Sequence, residues 1–310
     1  MKNHMQILLA ILLGIVLPQM CLKMIYPNHV KSKPDSEFET MTTIQLLDED
    51  RIHTLPVEDY VIGVLLAEIP PHFELEAIKA QAVAARTFAL YHASVASKHG
   101  DADVCSSSSC CQGYISVNEY LEKGPNNAVQ TMTKAVQATQ GLVATYQNLL
   151  IQATYFSSSG GRTEDAVAVW GNDVPYLQSV GSPGEDASNH NFYQQTMDID
   201  EFCQKLGISE NWVDIGAVQY TDGGGIDVIE INGMEFKGTE VRSRLGLKST
   251  VFVITQIGSS VNILTRGFGH RVGLSQYGAD AMAAAGCDYE QILKHYYTGV
   301  EIQEYMSAKN

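Results

Sequence analysis

The chain predicts an α+β fold built from mixed helices and antiparallel hairpins, on three observations. β-prone runs come in pairs around turn residues, as in Leu142–Tyr146 and Leu149–Phe156 flanking Gln147–Asn148. Helical patterns are scattered between these pairs. No regular strand–helix–strand rhythm of a doubly wound parallel sheet is present. A length of 310 residues provides one large domain or two ordinary ones with a sizeable core. There is no tandem repeat, and the one low-complexity tract is Ser106–Ser109.

In chain order, Ile7–Leu17 is wholly apolar and continues, interrupted by Pro18, Gln19 and Lys23, to Ile25. That is about the length of a bilayer span, so residues 1–25 are expected to form one N-terminal transmembrane helix, with Lys2 on its inner flank. A cleaved signal peptide, or lipidation at Cys21, is the alternative, although Pro18, Gln19 and Met20 are poor residues ahead of a lipidated cysteine. Each version exports the remainder. Residues 26–43, polar and with two prolines as far as Met41, read as a linker, and 44–310 as the extracytoplasmic domain.

Within that domain, Ile44–Leu47 and Ile52–Leu55 flank polar Asp48–Arg51 and predict a hairpin. Glu58–Ala67 predicts a helix, bounded by Pro56 and by Pro70–Pro71. A long alanine-rich helix runs from Glu74 to about Lys98, with Leu75, Ile78, Val83 and Leu90 facing inward. Further helices are predicted near Ala128–Gln140, where Gly141 stops the pattern, and over Asp200–Leu206, Thr239–Leu245, Gln276–Ala285 and Tyr289–Tyr297. Asp222–Gly225 joins two β-rich runs, Ile226–Ile231 being the clearer strand, and Val251–Ile257 pairs with Val261–Leu264 about Gly258–Ser260.

The formal charge of −15 argues against nucleic acid and against direct attraction to anionic headgroups, both of which need clustered Lys and Arg. It is compatible with a carbohydrate ligand. Cys203 and Cys287 sit in helical patterns and are expected as buried small hydrophobes.

Several residues can carry chemistry. Glu68 lies where an apolar helix meets Pro70, flanked by Leu66, Ala67 and Ile69. It is either a solvated helix-end glutamate or a poorly solvated carboxyl whose raised pKa suits a general acid. Glu74 and Glu76 open the next helix, where negative charge suits the macrodipole. Arg86, among Ala84, Ala85, Thr87 and Phe88, either pairs with a local glutamate or supports an active site. The loop Tyr155–Glu164 offers Ser157, Ser158, Gly160 and Gly161, and glycine lets backbone approach a ligand closely. A second glycine-rich stretch places His270 among Gly267, Gly269 and Gly273, with Ser275 and Gln276 opening a helix. No G-x-S-x-G elbow supports a serine hydrolase. His99, Cys105, Cys110 and Cys111 form H-x5-C-x4-C-C, a donor set for a closed structural zinc site. A disulfide from Cys105 to one neighbour, or free thiols, are the alternatives.

These segments together resemble the SpoIID family of peptidoglycan lytic transglycosylases. The resemblance rests on LPVEDYVIGVLLAE, LLAEIPPHFELEAIKAQAVAARTFALYHA, YFSSSGGRTEDAVAVWGNDVPYLQSVGSP and GFGHRVGLSQYGADAMAAAGCDYEQILKHYYTGVEI, spanning nearly everything from Ile44 to Ile302. It implies a single general acid/base at Glu68, supported by Arg86, that cleaves peptide-stripped glycan strands during septal wall remodelling in engulfment. Tyr155, Ser157, Ser158, Gly160, Gly161, His270, Ser275 and Gln276 would bind glycan. Similarity to clostridial members implies zinc at His99, Cys105, Cys110 and Cys111. The resemblance also implies the amidase SpoIIP and the membrane protein SpoIIM as partners, and the mother-cell membrane facing the septal wall as location. The family pattern commonly has glycine where this chain has Arg271. Related domains include non-catalytic amidase enhancers, which leaves a wall-binding module as the rival reading; a zinc amidase would need an open coordination position.

Overall fold

In the computed structural model the described residues are 42–95, 97–185 and 191–305. The expected anchor at 1–25, and the linker as far as residue 41, lie outside them. Among the described residues no helix is long and apolar enough to cross a membrane.

The expected α+β class appears as several small sheets among helices. Strands β1 (Thr43–Asp48) and β2 (Arg51–Pro56) form the first hairpin, turning at Glu49, whose φ is +51°. Helix α1 (Val57–Glu68) follows at once and stops before Pro70–Pro71, where the Ile69 amide still bonds the Leu65 carbonyl at 3.1 Å. Helix α2 (Leu75–Ser94) ends short of Lys98, because Val95 turns extended and leads the chain toward His99. Strand β3 (Val104–Cys105) then adds to β1 in parallel, so this sheet is mixed and not a hairpin alone. Helix α3 (Val117–Lys123), capped by the Ser116 side chain, was not expected; α4 (Asn126–Ala138) was.

The predicted 149–156 strand is a correction. Strand β4 (Leu142–Tyr146) pairs with β5, which is only Leu149–Leu150, and on its other edge with the C-terminal strand β14 (Glu301–Glu304). Tyr155–Phe156 forms a separate strand, β6, recruited in parallel by a strand 119 positions further on, β13 (Leu274–Ser275). Periodicity in the sequence cannot reveal a partner so remote. Between them lie α5 (Ala166–Trp170), β7 (Phe192–Asp198), α6 (Ile199–Leu206), β8 (Ile215–Tyr220), β9 (Ile226–Ile231), β10 (Met234–Lys237), α7 (Gly238–Leu245), β11 (Val251–Ile257) and β12 (Ser260–Arg266). The chain closes with α8 (Gln276–Ala284), α9 (Tyr289–Tyr296) and β14. Sheet orders are β10-β9-β8 and β11-β12-β7, both antiparallel.

The alanines of α2 explain the packing of two of the three cores. Ile78, Ala82, Ala85 and Ala89 face one core, with α1, α4 and β1. Ala77, Ala80, Val83 and Ala84 face another, with β4, α8 and α9. Small side chains on two faces let neighbours approach the helix from both sides. A third core gathers β7, α6, β9, α7, β11 and β12, and contains Cys203. Cys287, expected buried, is only half-buried against the second core, because it lies in the turn between α8 and α9.

Arg86 is fully buried on α2. Its Nε and Nη2 donate to the two Glu58 carboxylate oxygens at 3.0 and 2.5 Å, and Nη1 donates to the Leu142 carbonyl at 3.0 Å. Glu58 also accepts from the Gly141 amide. The pair therefore joins α1, α2 and the turn into β4. Truncating one partner of a buried pair costs about 3–5 kcal/mol, and the 23% exposure of Glu58 puts the expectation at the lower end. Arg86→Ala should therefore lower the urea midpoint with unchanged m-value, and Arg86→Lys should recover part of the loss but not the fork geometry.

Candidate active-site cleft

Glu68 ends α1 at one side of a cleft of about 390 Å³. Across from it lie Tyr155, Phe156 and Ser157 of the β6 segment, Phe268, Gly269 and His270 of the loop after β12, and Gln276 at the start of α8. Four of the residues that the sequence singles out as glycan-binding, Tyr155, Ser157, His270 and Gln276, thus share one cavity with Glu68.

Glu68 is half-buried, and burial raises its pKa above the ordinary carboxylate value while a hydrogen bond from the Gly113 amide pulls it part of the way back. The expected source of desolvation needs correcting, since Ala67 is exposed. The screening comes from the segment that crosses over the helix end. A Cβ on Gly113 would sit 2.7 Å from the Glu68 carboxylate, so only glycine permits this approach. Gln112, one residue earlier, is buried and accepts from the Tyr60 hydroxyl at 2.9 Å while donating to the Tyr155 hydroxyl at 2.9 Å. The Tyr155 phenol is held well above its ordinary pKa, first by burial and then by the charge of Glu68. It stays protonated, and its own hydrogen remains for a ligand. Nothing in the sequence distinguishes Gln112 or Gly113 from loop residues.

His270 is neutral throughout the physiological range. Burial, helped by the nearby Arg242 charge, lowers its pKa to about 4. Its Nδ1 accepts from the Val272 amide at 3.1 Å, and the ring also bonds the Tyr155 backbone. Phe156 and Trp170 pack against it at ring-centre distances of 5.6 and 5.3 Å. His270 offers the cleft a ring face and structural order. Gln276 is 5% exposed, and its Nε2 has no hydrogen-bond partner among the described residues. A buried, unsatisfied amide in the cavity that Glu68 also lines is a donor waiting for a ligand.

The remaining loop residues lie behind the cleft. Ser158 is fully buried and exchanges backbone hydrogen bonds with Phe268 at 3.1 and 2.7 Å. Gly160 and Gly161 adopt φ of +78° and +109°, and their close neighbour is Arg266. Ser275 is buried and caps α8 through the Gly278 amide. Its hydroxyl donates to Glu185, a buried carboxylate that sequence reading passes over. Glu185 also accepts from the Ser159 amide and hydroxyl, the Gly160 amide and the Ser182 hydroxyl, at 2.6–3.0 Å. One side chain therefore fastens both glycine-rich loops. Arg271 sits in the left-handed region, φ +67°, at the position where the family pattern commonly has glycine. Its buried guanidinium donates to Glu164 and to the carbonyls of Ser159, Arg162 and Gly223 at 2.6–2.9 Å.

The four metal-site residues also come together. One donor atom from each of His99, Cys105, Cys110 and Cys111 lies within 4.8 Å of the others, and His99 Nε2 is 3.2 Å from Cys111 Sγ. Tetrahedral zinc with bonds of 2.0–2.3 Å separates its donors by roughly 3.3–3.8 Å, so this arrangement fits a closed site. The three thiols are free. Cys111 and Ser108 line the same cleft as Glu68. Arg86 does not contribute its guanidinium here, which Glu58 and Leu142 take up.

Glu185→Gln turns an acceptor for five donors into an amide that presents N–H to some of them. The expected result is a loss of about 2–3 kcal/mol, with faster amide exchange at residues 157–161 than in the parent. Equal exchange in the two proteins, read by mass spectrometry, would count against Glu185 as the fastener.

A family model, SpoIID, described as stage II sporulation protein, matches residues 48–146. The chain is 40% identical over 260 residues to stage II sporulation protein D of Bacillus amyloliquefaciens, covering 82% of this chain and 76% of that protein. It is 40% identical over 261 residues to stage II sporulation protein D of Bacillus subtilis (strain 168), with the same coverage of 82% and 76%. An amidase enhancer of Bacillus subtilis (strain 168) is 28% identical over 302 residues, 78% of this chain and 40% of that protein. Identity of this level, sustained over most of both chains, means that the protein belongs to the SpoIID family.

Proposed function

We propose that the protein is a lytic transglycosylase that cleaves peptide-stripped peptidoglycan strands at the bond from N-acetylmuramic acid to N-acetylglucosamine, in septal wall remodelling during sporulation. The observation that carries this reading is a single carboxyl group, Glu68, with a raised pKa in a cleft that no other described acid lines. Hydrolysis by the usual route takes two carboxyl groups flanking the bond. Intramolecular attack needs only one. Protonated Glu68 gives its proton to the glycosidic oxygen as the bond to C1 breaks. The muramic C6 hydroxyl attacks C1, and the Glu68 carboxylate takes the hydroxyl proton, leaving a 1,6-anhydro end and a regenerated acid. The amide of Gly113 holds the carboxylate in place, while Tyr155 and Gln276 supply donors for sugar oxygens. Arg86 acts as a positioning residue, through Glu58 and the angle of α1.

His99, Cys105, Cys110 and Cys111 would hold zinc, as the resemblance to clostridial members implies. The metal would supply no reaction chemistry, only cross-linking of the segment that leads to Gln112 and Gly113. In this reading residues 1–25 anchor the protein in the mother-cell membrane, and the amidase SpoIIP and membrane protein SpoIIM are its partners, the amidase supplying stripped strands. The similarity to an amidase enhancer supports a second reading, a wall-binding module without catalysis.

Incubating the full chain and Glu68→Gln with peptide-free glycan strands, followed by mass spectrometry, separates the two. Anhydro-ended fragments from the parent alone are expected. Stimulation of an amidase by both proteins, with intact strands from each, would favour the enhancer.

The pH dependence has a defined sign. Glu68 must begin protonated, so kcat/KM should fall as pH rises through a pKa lying above the ordinary carboxylate range. The same raised pKa means that stability is full below the unfolded-state pKa and declines as pH rises through the folded one. Glu68→Gln keeps an acceptor for the Gly113 amide, and should be inactive yet at least as stable as the parent at neutral pH. A chemical denaturation series at two pH values checks this.

Zinc should be found at one equivalent per chain by elemental analysis. Chelation should lower the melting temperature and activity together, and Cys111→Ser should reproduce both effects.

A further inference from the structure

The Phe268 side of the cleft carries an arrangement that the proposed chemistry does not use. Phe268 lines the cavity and is 38% exposed. Its ring meets Tyr193 edge-on at 5.6 Å. Over both rings stands the ammonium group of Lys248, 4.8 Å from the Phe268 centre and 5.9 Å from that of Tyr193. The Lys248 carbonyl accepts from the Gly269 amide at 2.9 Å, which ties this residue's backbone to the loop bordering the cleft. Lys248 is exposed, and its ammonium group bonds no carboxylate among the described residues. The protein carries a formal charge of −15 and 35 acidic residues against 20 Lys and Arg. On such a surface most cations have acidic neighbours, as Lys79, Lys123, Lys205, Lys237 and Lys294 do here.

We propose that Phe268, Tyr193 and Lys248 form a subsite for an amino-sugar ring bearing a free carboxylate, and that Lys248 is a specificity determinant. The inference rests on the reading of the Glu68 cleft as a glycan site. An exposed aromatic face takes the C–H face of a pyranose, and the ammonium group beside it takes an anionic substituent. Among wall sugars, the lactyl ether of muramic acid ends in a carboxylate once its stem peptide is removed. With the peptide attached, the same position is a neutral amide carrying a bulky chain. An acidic protein would repel the stripped strand at long range, so a local cation is needed for the anionic sugar to dock. The device reads the charge left by peptide removal, and it gives the cleft a physical preference for strands that an amidase has already processed.

The test uses the full chain with Glu68→Gln, which binds without turnover, and titration calorimetry at low salt. The probes are peptide-free glycan strands and the same strands with their lactyl carboxylates converted to methylamides. The carboxylate strands should bind roughly fivefold more tightly than the amidated ones, the size of a good exposed ion pair. Lys248→Met should remove that ratio, Lys248→Glu should invert it, and Phe268→Ala should weaken both strands alike. A ratio of one in the parent, or a ratio unchanged by Lys248→Met, overturns the proposal. If the ratio behaves as expected while the Glu68-containing protein makes no anhydro product, the subsite stands and the transglycosylase reading falls. No binding of either strand overturns both.

Discussion

The cleft exists because buried charge holds two glycine-rich loops against each other. Glu185 collects donors from Ser159, Gly160, Ser182 and Ser275, and Arg271 donates to Glu164 and three carbonyls. Arg271 and Glu164 are 1% exposed, a setting in which desolvation is expensive, and while Glu164 Oε1 is hydrogen-bonded, Oε2 has no partner among the described residues. The carbonyls of Ser159, Arg162 and Gly223 each accept from this side chain, and an apolar residue at 271 would remove that donor from all three. The left-handed backbone at Arg271, which costs of order 1–3 kcal/mol for a non-glycine residue, is offset by those bonds.

A second constraint acts on the acid. Helix α2 is packed on both faces by alanine, which fixes α1 through Arg86 and Glu58 and so sets where Glu68 emerges. The Cys110–Cys111 segment then brings Gly113 down on the carboxyl group from above. The helix end supplies position, and the crossing segment supplies desolvation. The proposed zinc site belongs to this division of labour, because it would stiffen the crossing segment without entering the reaction.

How much of this was legible in the sequence follows from the range of each interaction. Helices α1, α2, α6, α8 and α9 lay close to their expected bounds because periodicity and caps are local signals. Glu68 stood out through its flanking residues, and the His–Cys cluster through spacing. The β6–β13 pair was invisible, as were Gln112 and Glu185, since each acquires its meaning from partners far away in the chain. Tyr193, Lys248 and Phe268 belong to three separate elements, and no motif joins them. Arg86 illustrates a different limit. Its burial was foreseeable among alanines, but the choice between Glu58 and a ligand as its partner needed the geometry.

The parallel pairing of Tyr155–Phe156 with Leu274–Ser275 has a consequence in time. Pairings between strands so distant in sequence close large loops and form late, after local helices and hairpins. A growing chain presents Glu68 when less than a quarter of it has been made, yet the opposite wall of the cleft waits for Gln276. Until then the carboxyl group has no facing loop and no enclosing cavity. On the proposed reading, the cleft is thus completed only late in assembly, and a truncated or half-folded copy holds an acid with nothing to grip.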